Sequence, residues 1–139
     1  MALQQTRPAV SRLLGDNTGM AVDPLSRVRA ICLALPEVSE KLNHGVPSWV
    51  VRDRKTVVQF WDGVDRDGIV GMWCPAPQGV LEAQVAAEPD RFYQPPYGGV
   101  GWLGVRLDVD PDWPEVTGIA EEAYRLVAPK RLVAQLDNR

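Results

Sequence analysis

Apolar residues recur along this chain with two periods, and the places where the period changes mark out its elements. Leu25, Val28, Ile31, Cys32 and Leu35 follow one another at helical spacing. Asp23-Pro24 supplies a carboxylate cap and a proline at the first helical position, and Pro36 ends the run. Residues 37–47 read as a long connection into a sheet. Strand formers at 48–52 and 56–61 flank the polar Asp53-Arg54-Lys55 and predict a β-hairpin. A second turn, 62–68, leads to a strand at 69–74, and three consecutive strands with short connections make an antiparallel meander. After Pro75-Ala76-Pro77, residues 80–86 suit a short helix that stops before Pro89. Residues 102–108 alternate, with Leu103, Val105 and Leu107 on one face and Trp102, Gly104 and Arg106 on the other. The clearest helix opens at Asp112-Trp113-Pro114-Glu115, a capping-box-like start, and carries Val116, Ile119, Ala120, Ala123, Tyr124 and Val127 on one stripe. Gly118 costs that helix about 1 kcal/mol relative to alanine, and Pro129 closes it.

Two amphipathic helices near the ends of the chain and about four antiparallel strands between them predict an α+β fold, a two-layer sandwich with both helices on one sheet face. Residues 1–22 show no sustained period and read as a flexible N-terminal tail, leaving 23–135 as a single domain. Between the short helix and the last strand, residues 90–101 gather Phe92, Tyr93, Pro95, Pro96, Tyr97, Gly98, Gly99 and Gly101 into a bend that prolines stiffen and glycines permit. That bend leads from aromatics into a strand, whereas a phosphate-cradling loop leads from a strand into a helix, so its glycines read as backbone geometry.

Composition narrows the classes of function. A chain of 139 residues is long enough for one core without staples. No apolar run reaches membrane-spanning length, and the N-terminus lacks a secretory pattern, so a cytoplasmic protein is expected. Cys32 and Cys74 lie among apolar neighbours and read as buried free thiols. The formal net charge of −3 opposes long-range attraction to nucleic-acid phosphate, although a local basic patch is compatible with it. His44 is the single histidine; one histidine and two distant cysteines do not make a zinc site, and no nucleophile arrangement is spaced around it. No metal, no cofactor and no catalytic constellation are expected; His44 reads as a hydrogen-bonding loop residue at the start of the sheet.

Three stretches together are similar to the MmcQ/YjbR family of small bacterial proteins. They are His44-Gly45-Val46-Pro47-Ser48-Trp49; Asp90-Arg91-Phe92 with Pro95-Pro96-Tyr97-Gly98 and Gly101-Trp102; and Trp113-Pro114-Glu115-Val116 with the run from Glu122 to Lys130. The resemblance covers most of the chain from about Leu25 to Leu132. It implies a frataxin/CyaY-like fold and a DNA-binding role through a "double wing" of hairpins, with no catalytic residues to carry over. The iron handling associated with that fold needs acidic residues on the first helix, where this chain has Arg27 and Arg29 instead.

Two sites follow. For DNA, Arg52, Arg54 and Lys55 at the first hairpin tip would contact phosphates, helped by Arg125, Lys130 and Arg131. Asp62, Asp65 and Asp67 outnumber Arg66 on the second wing and oppose that reading there. The alternative is a small-molecule or protein-binding module on the sheet face turned from the helices, where Trp61, Trp102 and Arg106 point outward with Gln59, beside Tyr97 and His44. A competing reading has the loop around Tyr93 to Tyr97 fold over this face and bury it. A monomer is favoured.

Overall fold

The structure, a computed structural model, describes residues 23–63, 68–95 and 101–138. Ten elements occur in the order α1 (Pro24–Leu33), β1 (Val38–Asn43), β2 (Val46–Val51), β3 (Lys55–Trp61), β4 (Gly71–Pro75), α2 (Gln78–Ala87), β5 (Phe92–Tyr93), β6 (Trp102–Arg106), α3 (Trp113–Val127) and α4 (Lys130–Asp137). The strands form one antiparallel sheet in the order β1-β2-β3-β4-β6-β5. Both predicted end helices lie on one face of it and share a single core, which makes the molecule an α+β two-layer sandwich.

Helix starts follow the chemistry of their caps. Asp23 accepts from the Ser26 backbone N–H at 2.9 Å, with Pro24 at the first helical position. Asp112 accepts from the Glu115 N–H at 3.2 Å. The reciprocal half of a capping box is not made, because the Glu115 carboxylate pairs with the Arg91 guanidinium. α3 buries Val116, Ala120, Ala123 and Tyr124 over β3 and β4, and α1 buries Val28 and Cys32 beside them. The Tyr124 hydroxyl donates to the Pro36 carbonyl at 2.7 Å, tying the last long helix to the turn after the first.

Cross-strand register fixes the two faces of the sheet. Trp49↔Val58, Phe60↔Met72, Met72↔Val105 and Cys74↔Leu103 put those side chains under the helices, nearly all of them fully buried. A register shift at Trp49/Val50 places Val57 and Val58 together in the core, as expected of a β-bulge.

Three elements depart from the sequence reading. The sheet has six strands rather than about four. β1 occupies part of the expected connection, as an edge strand that sets Val38 against the core but holds Glu40, not an apolar residue, opposite Trp49. β5 is two residues long and pairs with β6. Pro129, expected to close the last helix, also opens α4, which docks through Leu132 and Leu136 and runs past residue 135 to Asp137. Residues 1–22, read as a tail, lie outside the described residues, as do 64–67 with Asp65, Arg66 and Asp67.

Candidate functional site

The β2–β3 hairpin turns through Arg52-Asp53-Arg54, closed by Val51↔Lys55 pairing and an Arg54 N–H to Val51 carbonyl bond of 3.0 Å. Such turns favour glycine or asparagine, because the central residues take positive φ. Here Arg52 and Asp53 hold φ of 54° and 58° without a glycine, a conformation that costs an L-residue roughly 1–2 kcal/mol. The surroundings hold them there. Arg52 N–H donates to the Glu37 carbonyl at 3.0 Å, and Asp53 is paired with Lys41 at 3.2 Å and accepts from the Ser39 hydroxyl. The Lys41 ammonium, then Ser39, keeps the Asp53 carboxyl below the usual carboxylate range.

This tip meets the start of α4. Glu37 Oε1 lies 3.6 Å from Arg52 Nε and Glu37 Oε2 lies 3.6 Å from Arg131 Nη2, so one carboxylate stands between guanidinium groups from the first hairpin and the last helix. Arg54, Lys55 and Lys130 are exposed beside them and make no ion pair among the described residues. Five of the six predicted basic residues are therefore brought to one end of the sandwich. Arg125 is not among them in function: it is held between Glu122 at 2.7 Å and Asp137 at 2.6 Å, where it ties α3 to α4.

The opposite sheet face is built in rows. Ser48, Gln59, Trp73, Gly104 and Tyr93 lie in one cross-strand row, with Trp61, Gly71 and Arg106 in the next. Trp61 and Trp102 are half-buried on this face, as their phase predicted. The face is closed by its own aromatics. Trp61 stacks on Trp73 with ring centroids 4.3 Å apart, and the Trp73 indole N–H donates to the Tyr93 hydroxyl at 2.8 Å. Tyr93 lies so close over Gly71 and Gly104 that a Cβ on Gly104 would fall 2.5 Å from its ring. Arg106 is engaged by Asp108 through two bonds of 3.0 and 3.1 Å, which lower the Asp108 carboxyl and leave the guanidinium little to offer a ligand. Tyr93 covers the face as the reading in which its loop folds over the sheet expected, whereas Trp73 was missed because residues 69–74 are apolar on both faces and carry no phase. The glycines within two strands were the available signal, since they mark a close approach.

His44 sits in the two-residue β1–β2 turn with Gly45, at φ of 54° and 80°, and is exposed. It is a turn residue, distant in role from either face. Tyr97 lies outside the described residues. Among the described residues no group of three or more His, Cys, Asp or Glu side chains is placed to hold a metal ion. Nor is any helix among them long and apolar enough to cross a membrane.

No family model matches the chain, and no curated protein matches it. Among solved structures, the fold is similar to that of Deinococcus radiodurans protein DR2400, a DUF419-domain protein. The two superpose with a TM-score of 0.64 over 81% of this chain and 87% of that one, at 17% sequence identity. Likeness at that identity is likeness of fold.

Proposed function

We propose that this chain is an MmcQ/YjbR-like, non-enzymatic, cytoplasmic protein that binds the phosphate backbone of DNA through its basic end. The observation carrying this is that Glu37 stands between Arg52 of the hairpin tip and Arg131 of α4, whose chain neighbours Arg54, Lys55 and Lys130 are exposed. Positive φ at an arginine, maintained at a cost in stability, is the kind of local strain that accompanies ligand contacts. The contact is narrower than two symmetrical wings: one hairpin and the first turn of α4 supply it. Arginines at the tip would hold phosphate oxygens and position the protein, a mode that is strong at low salt and carries little sequence information. Of the five cations, Arg52 and Arg131 share a carboxylate, so three to five phosphates are engaged and log K falls with log salt at a slope of roughly −2.7 to −4.5 on duplex DNA.

The test is a fluorescence-anisotropy titration of labelled duplex and single-stranded DNA at low and physiological salt. The variant Arg52→Ala/Arg54→Ala/Lys55→Ala should lose binding, and Lys130→Ala/Arg131→Ala should weaken it. Arg125→Ala should leave affinity unchanged at equal folded fraction. Absent binding at low salt, or binding indifferent to both basic sets, overturns the reading.

A further inference from the structure

A cleft of about 410 Å³ opens between α2, α3 and the end of β4, sharing no residue with the basic end. Its size falls within the range of small-molecule sites. Pro75, Pro77, Val80, Leu103 and Ile119 give it apolar walls, and Val80 stands 47% exposed at its rim. The charge lining it is of one sign: Glu115, Glu121 and Glu122, all from α3, with no lysine, arginine or histidine in the wall. Glu115 and Glu122 are answered from outside the wall by Arg91 and Arg125. Glu121 has no ion pair among the described residues.

The middle of α3 makes the cleft deeper than packing requires. Gly118 lines it, and a Cβ built there meets nothing within 4 Å. No neighbour of Gly118 needs the space, its φ is not positive, and glycine weakens a helix interior. The missing side chain thus leaves room for something other than the protein.

We infer that this cleft is a binding site for a small organic cation, an amine carried on an aromatic or aliphatic body. The body fills the space over Gly118 against Val80, Leu103 and Ile119, and the ammonium lies toward Glu121 at the rim. Charge complementarity selects the class: an anion would face Glu121 with no cation in the wall to answer it, and a neutral apolar molecule would leave Glu121 without use.

Calorimetric titration of the full chain with 2-phenylethylamine, 2-phenylethanol and 3-phenylpropanoate tests this at constant pH and ionic strength. The amine should bind about tenfold more tightly than the alcohol, and the acid should not bind. Glu121→Gln should erase most of that tenfold preference while leaving alcohol binding unchanged. Gly118→Leu, which fills the floor, should abolish binding of both. Gly118→Ala should raise the melting temperature by about 3–5 °C and weaken the amine, because a helix gains a residue it prefers while the cleft loses depth. Equal affinity for amine and alcohol, an amine indifferent to Glu121→Gln, or no amine binding at millimolar concentration would each overturn the assignment. So would stronger competition by an arginine-containing tripeptide than by free amines, which would make the cleft a peptide site. DNA titrations read a different surface and are unaffected by Gly118→Leu.

Discussion

Glu40 offers the sharpest test of how the first helix is held to the sheet. It lies on edge strand β1 directly opposite Trp49, on the face turned toward the helices. Its Oε1 accepts from Arg29 Nε at 2.8 Å and from the Trp49 indole N–H at 3.1 Å, and its Oε2 accepts from Arg29 Nη2 at 3.0 Å. Trp49 is completely buried, so Glu40→Ala leaves its N–H without an acceptor, a loss of about 1–3 kcal/mol. The Arg29 pair, with side chains 40% and 26% exposed, adds about 0.5–1 kcal/mol once solvent screening is allowed for. The expected total is about 2–3 kcal/mol, or a fall in melting temperature of roughly 10 °C for a domain of this size. Urea unfolding followed by tryptophan fluorescence would read it as a lower midpoint at unchanged m. Glu40→Gln keeps an acceptor oxygen and should cost about 1 kcal/mol. In a Trp49→Phe background, which removes the N–H, the Glu40→Ala penalty should shrink to the ion-pair part, about 1 kcal/mol. Equal penalties in both backgrounds would refute the buried N–H as the larger contributor.

Other outcomes follow from the same reasoning. Arg29, through hydrogen bonds and charge, holds the Glu40 carboxyl below its ordinary range, and Arg106 does the same for Asp108. With folded-state values depressed, their stabilisation is fully present above the unfolded carboxylate values near pH 4–5. It is lost as pH falls through the lower folded values, so a pH series of urea midpoints should be flatter on the acid side in Glu40→Gln. Glu37→Gln removes the carboxylate shared by Arg52 and Arg131 and should tighten DNA binding severalfold in the anisotropy assay; weaker binding would mean that Glu37 orders the site rather than competing with phosphate. Gly104→Ala should destabilise the fold by about 1–3 kcal/mol in thermal melts, because its Cβ overlaps the Tyr93 ring. Burial pushes the Cys74 thiol up to about 12 and raises Cys32 as well, so a thiol reagent at pH 8 should label neither until denaturant is added, and then both.

What was readable in the chain tracks how each element earns its burial. The stripe Val116, Ala120, Ala123 and Tyr124 pays into the core at every turn, so α3 was plain from spacing. The alternation of Leu103 and Val105 set the phase of β6 and, through register, the outward position of Trp61 and Trp102. β1 was hidden because, beside Val38, its inward side holds the Glu40 carboxylate reaching Arg29 and Trp49 while Leu42 stands exposed, a pattern that alternation cannot register. α4 was hidden because two leucines four residues apart make a stripe too short to detect, behind a proline that reads equally as a stop. At the candidate site the hairpin tip was legible from its own residues. Its union with Arg131 depended on α4, as did the withdrawal of Arg125 into pairs with Glu122 and Asp137.

The bond from the Tyr124 hydroxyl to the Pro36 carbonyl spans 88 positions of chain. Synthesis runs from the N-terminus, so Pro36 and the strands β1 to β6 emerge from the ribosome before Tyr124 does. Until then, the sheet face carrying Trp49, Phe60, Met72 and Val105 has lost its widest cover, since α3 is what lies over β3 and β4. The nascent domain must therefore wait, apolar face open, for one late helix. Contacts of such long separation slow folding, and exposed apolar strands associate while they wait. A stalled chain ending before residue 113 is the species that a holding chaperone would be expected to capture, and release should coincide with emergence of α3.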